Sequence, residues 1–414
     1  MPNSSGTNSV PMTSTLPRQN AEERAAASRK RKYDSFVAES TGEMASDDRP
    51  FKVLKPFIQA GLWWPRGICL YSDISATLCD GIENEMEKAG EEEEDGLNDQ
   101  RTLKSSKEAL KLRERNIRAF SLFAEKYPEL VEVFHQTIEY EDQGTFNRLA
   151  KAICKGYKQA RRTDTSLEKD DICDWLIPAM EESTDELDDF SFAAPALTRN
   201  ELKSARGINH PLTRAFLIPF GFIDRVYYQE DGAEACKKVF DDLKKGAKNA
   251  KKNRGKGKKG RNAIVQDDSR GIPLESDSLC AFMYFINSYD SGKVWSGLLR
   301  GPLLVIAYRA IFTGPSSALG EKGAPTKSGN AKIHGVSEVS FESIAYVAAP
   351  VRFALCSKTS WVKEDGVFNL ECFYFYLLDL MLKAPTKWGD ELLEFWNELQ
   401  CRLWGCLDCA GFIG

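Results

Sequence analysis

The segment from residue 302 to residue 312, PLLVIAYRAIF, constrains the fold more than any other part of the chain. A proline suits the first position of a helix, where its missing N–H removes no hydrogen bond. Arg309 is the only charged residue in the segment, so nearly every side of it must be buried. The segment is therefore a central core helix or a buried strand, and its length favours the helix.

Other segments show helical periodicity of apolar residues and favour the same fold class. Hydrophobic residues make up 42% of the chain, which is enough to build a sizeable core. We predict helices over residues 105–124, from Pro128 through ELVEVFHQTI, over about residues 144–161, and over FNLECFYFYLLDLML and DELLEFWNELQCRLWG.

A further helix is predicted over residues 341–356, FESIAYVAAPVRFALC. Ser340 stands just before it and can cap its first turn. Pro350 should kink or end this helix, because proline has no N–H to donate to the preceding turn. Taken together, these segments predict a mainly α fold with one large helical domain over residues 49–405.

Three polar segments are predicted to lie outside the core. Residues 1–48 are polar and of low complexity, which predicts a disordered tail. Residues 83–99 and 181–189 are rich in Asp and Glu. Because like charges at this density repel each other, we predict that both runs are solvated acidic loops.

Residues 244–262, KKGAKNAKKNRGKGKKGRN, hold ten Lys or Arg and no acid, although the whole chain carries a net charge of −5. We predict a flexible basic insert that neutralises phosphates and gains affinity by releasing counterions. It contains no aromatic residue on which a base could stack, so binding should be weak and independent of sequence. The candidate nucleic-acid-binding residues are Lys244, Lys245, Lys248, Lys251, Lys252, Arg254, Lys256, Lys258, Lys259 and Arg261.

A second basic cluster, Arg29, Lys30, Arg31 and Lys32, lies in the predicted tail. Four consecutive cations in an extended segment fit the acidic groove of a nuclear-import receptor. The N-terminal residues contain no apolar signal core, and no apolar run reaches the roughly 18 residues of a membrane helix. We therefore predict a nuclear protein, otherwise a cytoplasmic one, that is not secreted and does not contact a membrane. The oligomeric state stays open.

No local motif indicates a reaction. Residues 255–260 match the spacing G-x-G-x-x-G, but no apolar strand precedes them, so we exclude a dinucleotide site. Residues 320–328 lack two of the glycines that a phosphate-binding loop needs. Cys401, Cys406 and Cys409 have no fourth metal ligand nearby in the sequence. The sequence thus predicts no catalytic residue, no metal ligand and no cofactor.

His210 and His334 keep one enzymatic alternative open. Both lie in loop-like segments and could converge in space with a carboxylate to hold a metal ion. Neither has a second histidine or a carboxylate at ligand spacing along the chain. A structural histidine held by hydrogen bonds is the simpler interpretation of each.

Several long stretches together resemble one known family. They are RGINHPLTRAFLIPF (206–220), WSGLLRGPLLVIAYRAIFTGPSSA (295–318), SGNAKIHGVSEVSFESIAYVAAPVRFALC (328–356), LWWPRGICLYSDISATLCDGI and ARRTDTSLEKDDICDWLIP. They are similar to an uncharacterised domain of unknown function that is expanded in mushroom-forming (basidiomycete) fungi, over about residues 51–400. The resemblance implies no activity and no site residues. The Lys-rich insert departs from the family pattern, so its function is expected to be this chain's own.

The sequence therefore favours a non-enzymatic nuclear protein that associates with nucleic acid or chromatin through the basic insert. Two alternatives remain. One is a protein–protein scaffold in which the basic insert is inert, and the other is a metal-dependent enzyme that uses His210 and His334.

Overall fold

The computed structural model describes residues 16–41, 49–93, 106–187, 192, 194–229, 231–254, 274–320, 329–366 and 368–404. Over these residues the fold is mainly α, as predicted, with fourteen α-helices, six short 3-10 helices and one antiparallel pair of strands. The α-helices are α1 (Leu16–Thr41), α2 (Arg49–Gly67), α3 (Ile74–Glu93), α4 (Lys107–Lys126), α5 (Pro128–Glu139), α6 (Gln143–Thr184), α7 (Pro211–Phe216), α8 (Asp224–Tyr227), α9 (Gly232–Arg254), α10 (Pro302–Phe312), α11 (Asn330–Ile333), α12 (Phe341–Leu355), α13 (Leu370–Leu382) and α14 (Thr386–Trp404). The 3-10 helices are Lys203–Ala205, Gly207–Asn209, Phe220–Phe222, Ala281–Met283, Ile286–Ser288 and Pro315–Ser317, and the strands are β1 (Glu364–Asp365) and β2 (Phe368–Asn369).

Helix α6 is the central element of the fold, and α2, α10 and α12 pack against it. It has 42 residues and is therefore about 63 Å long. The carboxylate of Asp142 caps its first turn by accepting the N–H of Thr145 at 2.9 Å. The sequence predicted this helix only over residues 144–161. It continues because polar residues in its middle are buried by neighbouring helices and do not form a solvated break.

Helices α2 and α6 cross closely because each has a glycine at the crossing. A Cβ atom at Gly61 would lie 2.0 Å from the carbonyl oxygen of Ile153, and one at Gly156 would lie 2.0 Å from that of Ile58. Both distances are far inside van der Waals contact, so any larger side chain must push the two backbones apart. The crossing thus fixes where residues further along α2 and α6 meet.

Helix α10 confirms the prediction of a central core helix that starts at Pro302. Every residue of α10 except Arg309 is buried. Tyr308 stacks on Phe312 with 4.2 Å between ring centroids, and its ring lies 4.9 Å from that of Trp396 in α14. Within the described part of the chain, no helix is both long enough and apolar enough to cross a bilayer.

Helix α12 confirms the predicted cap at Ser340. The Ser340 hydroxyl accepts the N–H of Ser343 at 3.2 Å, and the Ser343 hydroxyl accepts the N–H of Ser340 at 3.1 Å. This reciprocal pair satisfies two N–H groups that a helix start otherwise leaves unpaired. Pro350 does not end the helix, which runs on to Leu355. All of its residues except Phe341 are buried, so tertiary packing outweighs the hydrogen bond that proline cannot make.

The predicted polar segments are more ordered than their composition indicated. Residues 16–41 of the predicted tail form α1, and residues 181–184 of the second acidic run end α6. Residues 83–93 of the first acidic run belong to α3, whose first half buries Ile74, Leu78 and Ile82. A helix that is fixed by packing at one end can extend through charged residues at the other. The remaining parts of these predictions, residues 1–15, 42–48, 94–99 and 188–189, lie outside the described residues.

Candidate functional site

Helix α9 carries the first part of the predicted basic insert and is anchored to the core by its first half. Cys236, Val239 and Phe240 are buried, and the helix packs against α7 and α8. The carboxylate of Asp231 accepts the N–H of Glu234 at 3.1 Å at the start of the helix. The position of α9 on the protein is therefore set before its basic residues begin.

The second half of α9, residues 244–254, holds six Lys or Arg and no acid, and we call it the basic half of α9. Its backbone is helical, which corrects the prediction of a flexible loop for these residues. Two physical reasons explain the difference: Lys, Arg and Ala are good helix formers, and cations near a helix C-terminus interact favourably with the helix dipole. Residues 244, 248 and 251 recur at the spacing of one helix face.

The described structure reaches only part of the predicted binding residues. Lys245 is exposed and forms an ion pair with Asp242 of its own helix at 3.6 Å. Six of the ten residues, Lys244, Lys245, Lys248, Lys251, Lys252 and Arg254, belong to the basic half of α9. The other four, Lys256, Lys258, Lys259 and Arg261, lie outside the described residues.

The predicted import cluster, residues 29–32, is exposed but helical, because it lies in α1. The next residue, Tyr33, is buried, and its hydroxyl donates to Oδ2 of Asp142 at 3.0 Å. Lys30 Nζ lies 4.2 Å from the ring centroid of Tyr140. These contacts hold the cluster in a helix, so a receptor that binds an extended segment must first unwind this turn of α1.

His210 is one of the two histidines of the metal-dependent alternative, and it caps a helix. Its Nδ1 accepts the N–H of Leu212 at 3.3 Å at the start of α7, and the residue is buried. Burial lowers the pKa of His210, and nearby Arg214 and Arg206 act in the same direction against Glu201. The structure thus gives His210 a structural role in a neutral form.

His334 lies in different surroundings. Its ring packs against Trp63, with 5.4 Å between ring centroids. Burial and the cations Arg66 and Lys126 lower its pKa to about 4. Two neighbouring cations also oppose the binding of a metal ion by electrostatic repulsion. Over the described residues no group of three or more His, Cys, Asp or Glu is placed to hold a metal.

A buried cluster of charged and polar side chains lies where α2, α6 and α12 meet. Arg66 donates through Nε and Nη2 to the two carboxylate oxygens of Asp164, at 2.8 and 2.7 Å. The hydroxyl of Tyr346 donates to the same carboxylate at 2.7 Å. Arg66 is 4% exposed and Asp164 is 2% exposed. Three helices are therefore joined at one carboxylate that accepts three hydrogen bonds.

Glu168 follows Asp164 by one turn of α6 and is the most unusual member of this cluster. It is fully buried, and neither of its carboxylate oxygens has a hydrogen-bond partner among the described residues. Burial, with the carboxylates of Asp164 and Asp171, raises its pKa well above the usual range. Burial therefore favours the neutral, protonated form of Glu168 in the folded protein.

Two cations stabilise the C-terminal end of α12. Lys203 Nζ donates to the carbonyl oxygens of Phe353 at 2.7 Å and of Cys356 at 2.8 Å. Arg206 Nη1 donates to the carbonyl oxygens of Ala354 at 3.2 Å and of Lys169, in α6, at 2.7 Å. The last carbonyl groups of a helix have no partners within it, and cations are favoured there. The segment between α6 and α7 thus links the C-terminal end of α12 to the middle of α6.

The sequence analysis did not identify the buried cluster. Arg66 and Tyr346 lie 98 and 182 residues from Asp164, and nothing in the sequence pairs them. The available signal was local: Asp164 and Glu168 stand at i and i+4 between apolar residues that continue the period of α6. The predicted helix ended at about residue 161, so neither residue was placed in it.

Comparison with known proteins finds one match. Residues 155–399 match the model of a family of unknown function, DUF6698. The match runs from α6 to α14 and includes α9 and the residues Asp164, Glu168 and Tyr346. It confirms the predicted resemblance to an uncharacterised family, over a shorter span than predicted, whereas expansion in fungi stays a prediction. No curated protein and no solved structure matches the chain.

Proposed function

The chain belongs to DUF6698, a family of unknown function, and we propose that it binds the phosphate backbone of nucleic acid or chromatin without sequence preference, through the basic half of α9. The observation that carries this proposal is the division of α9 into two parts. Its first half is anchored by buried apolar side chains, and its second half holds six cations and no acid. The net charge of −5 of the whole chain does not prevent such binding, because the cations are concentrated in one place.

An anchored helix suits this role better than a free loop. Its backbone is already ordered, so binding costs less conformational entropy than ordering a flexible segment does. Residues 244, 248 and 251 recur at the spacing of one helix face, and a rise of about 1.5 Å per residue separates them by about 6 and 4.5 Å along the helix axis. The lack of aromatic residues over 244–262 removes base stacking as a source of specificity.

The experiment measures binding of a fluorescent DNA duplex by anisotropy at increasing KCl concentrations. Each phosphate neutralised on duplex DNA contributes about −0.9 to the slope of log K against log[salt]. If half of the ten cations over 244–262 engage phosphates, the expected slope is about −4 to −5. A duplex of scrambled sequence should bind as tightly as the first one.

Two variants with the same change in net charge make the test specific. In the first, Lys244, Lys248, Lys251 and Lys252 are replaced by Gln. In the second, four exposed lysines elsewhere are replaced by Gln: Lys293, Lys332, Lys383 and Lys387. The first variant should lose most of its affinity and reduce the slope by about 3 to 4, whereas the second should lose little.

Two outcomes would contradict the proposal. One is no measurable binding at low salt, which would favour the protein–protein scaffold in which the basic stretch is inert. The other is an equal loss of affinity in both variants, which would indicate that only net charge matters.

We also propose that the protein is nuclear. A fluorescent fusion should accumulate in nuclei, and replacing residues 29–32 by Ala should reduce that accumulation.

A further inference from the structure

An open cleft lies between helix α1 and the turn that joins α5 to α6, and we call it the α1 cleft. It has a volume of about 490 Å³, which is within the usual range of small-ligand sites. Its polar lining includes Lys30 and Asp34 of α1, and Tyr140, Glu141 and Asp142 of the turn. No part of α9 lines it, so it is independent of the proposed function.

The α1 cleft already holds one cation, which comes from the chain itself. Lys30 Nζ lies 4.2 Å from the ring centroid of Tyr140 and 3.7 Å from Oδ1 of Asp34. The face of an aromatic ring attracts a cation, because the π electrons make that face negative. A ring face and a carboxylate together therefore bind an ammonium group here. The Lys30 side chain is 53% exposed, so it can leave the ring for solvent without disturbing the core.

The charges that line the α1 cleft favour a cationic ligand over an anionic one. Three carboxylates line it, those of Asp34, Glu141 and Asp142, against the one ammonium group of Lys30. These four groups have a net charge of −2. Glu141 is exposed, and it forms no ion pair within the described part of the chain. A phosphate or carboxylate ligand would be repelled by this lining.

Hydrogen bonds fix the side of the cleft that Asp142 forms. Its Oδ2 accepts the hydroxyl of Tyr33 at 3.0 Å, and its Oδ1 accepts the N–H of Thr145 at 2.9 Å. Burial opposes the charge of Asp142, but the hydrogen bonds from Thr145 and Tyr33 lower its pKa. Arg148 acts in the same direction. Asp142 is therefore ionised at neutral pH, and Tyr33 keeps α1 beside the turn whether or not Lys30 lies on the ring.

We propose that the α1 cleft binds the ammonium group of a lysine side chain on a partner protein. The incoming ammonium group lies on the face of Tyr140 beside Asp34, in the place that Lys30 takes in the free protein. Lys30 moves into solvent, so it acts as an internal competitor that weakens the binding of the partner. The partner presents a lysine-rich segment, because the three carboxylates leave the cleft negative after one cation is bound.

Two short peptides serve as probes for this site. The first has two lysines separated by one alanine and has blocked termini, and the second has norleucine in place of both lysines. A cation on one ring and exposed ion pairs are each weak contacts, so a dissociation constant in the millimolar range is expected for the lysine peptide. Ligand-observed saturation-transfer NMR at low salt detects binding of this strength. The norleucine peptide should not bind measurably.

The variant K30Q removes the internal competitor and should bind the lysine peptide about 2 to 5 times more tightly than the unchanged protein does. K151Q makes the same change in net charge at an exposed lysine of α6 that does not line the cleft, and it should bind like the unchanged protein.

Two changes at Tyr140 test the role of the ring. Y140F keeps the aromatic face and should bind the lysine peptide like the unchanged protein. Y140L removes that face and should weaken binding about fivefold.

The proposal is wrong if the lysine peptide does not bind, or if the norleucine peptide binds equally well, since apolar contact then explains the binding. It is also wrong if K30Q and K151Q gain the same affinity, because the net charge of the protein alone then attracts the peptide. If Y140L lowers the melting temperature, the comparison of K30Q with K151Q still decides the question, because both lysines are exposed.

Discussion

Arg66 of α2 and Asp164 of α6 form a buried ion pair with two hydrogen bonds, at 2.8 and 2.7 Å, although 98 residues separate them in the sequence. Removing both charges from water carries a large desolvation cost, which the close contact offsets only while both partners are present. The hydroxyl of Tyr346 completes the set of donors to Asp164. The pair therefore determines how α2, α6 and α12 must be placed, and does not by itself make the protein more stable.

The first prediction tests this pair. D164L should lower the free energy of unfolding by about 3–5 kcal/mol, because it leaves the charge of Arg66 buried without a partner. The triple variant R66M/D164L/Y346F removes all three polar groups and should be destabilised much less than D164L alone. Urea unfolding followed by circular dichroism measures both values. Equal destabilisation of the two variants would show that the cluster stabilises the fold directly.

The second prediction concerns Glu168 and pH. Folding raises the pKa of Glu168, chiefly through burial, above its ordinary value of about 4.3. Below that value Glu168 is protonated in both states and contributes nothing to the pH dependence of stability. At higher pH the unfolded chain loses the proton and the folded protein keeps it, so stability falls as pH rises towards the folded pKa. E168Q cannot ionise and should remove this dependence.

Unfolding curves at pH 4 and pH 7.5 test the effect of E168Q. The variant should match the unchanged protein at pH 4 and should be the more stable of the two at pH 7.5. E181Q, at an exposed position of the same helix, is the control and should show no such difference. If E168Q is the less stable protein at pH 7.5, Glu168 is ionised in the fold and has a partner that the structure does not show.

The third prediction concerns two glycines of α6. G156A places a methyl group 2.0 Å from the carbonyl oxygen of Ile58 and should destabilise the protein by about 1–3 kcal/mol. G144A lies in the first turn of the same helix, where the added atom meets only Oδ1 of Asp142 at 3.4 Å. It should be neutral or stabilising by up to about 1 kcal/mol, because Ala favours a helix over Gly.

Thermal unfolding measures the G156A and G144A variants under identical conditions. Both variants make the same chemical change in the same helix, so the difference between them isolates the close approach of α2. Equal melting temperatures for G156A and G144A would show that α2 can shift without cost.

The fourth prediction concerns the attachment of α1. Y33A removes a buried ring and the hydrogen bond to Asp142, so α1 should detach and the basic cluster 29–32 should become accessible. Trypsin should then cleave at this cluster faster than in the unchanged protein. S35A is the control, because Ser35 is exposed and should leave cleavage unchanged.

Nuclear import offers a second measurement of the same variant. A receptor that reads an extended segment should bind Y33A more readily than the docked helix, so a Y33A fusion should accumulate in nuclei at least as strongly as the unchanged protein. Faster cleavage combined with weaker nuclear accumulation would show that the helical form of α1, and not the extended one, is what a partner recognises.

The starts of the core helices could be predicted because their signals are local. Pro302 and Ser340 act within one turn of their own positions, and the structure confirms both. The length of α6 could not be predicted, since Asp164 and Glu168 are tolerated in its middle only by contacts with α2 and α12. The local composition at these positions did not indicate a continuing helix. Packing against residues that are distant in the sequence keeps α6 helical there.

The candidate sites also differ in how far local sequence signals could identify them. The basic half of α9 was found from composition alone, whereas its position on the protein follows from the anchor formed by Cys236, Val239 and Phe240. Arg352 of α12 is 1% exposed, and the sequence signal for its burial was its place in an apolar run. An arginine within an apolar helix indicates a buried charge, and the atoms around it become known only when the chain is folded.

The family match starts at residue 155, twelve residues after the first residue of α6. A chain cut at that point would lose Arg66 and would keep Asp164 as a buried carboxylate with the Tyr346 hydroxyl as a donor but without its cation. It would also lose Gly61 and the part of the α2 backbone that packs directly against Gly156. The stretch by which the family is recognised is therefore smaller than the stretch that must fold together, and any transplant of this region into another chain has to carry α2 with it.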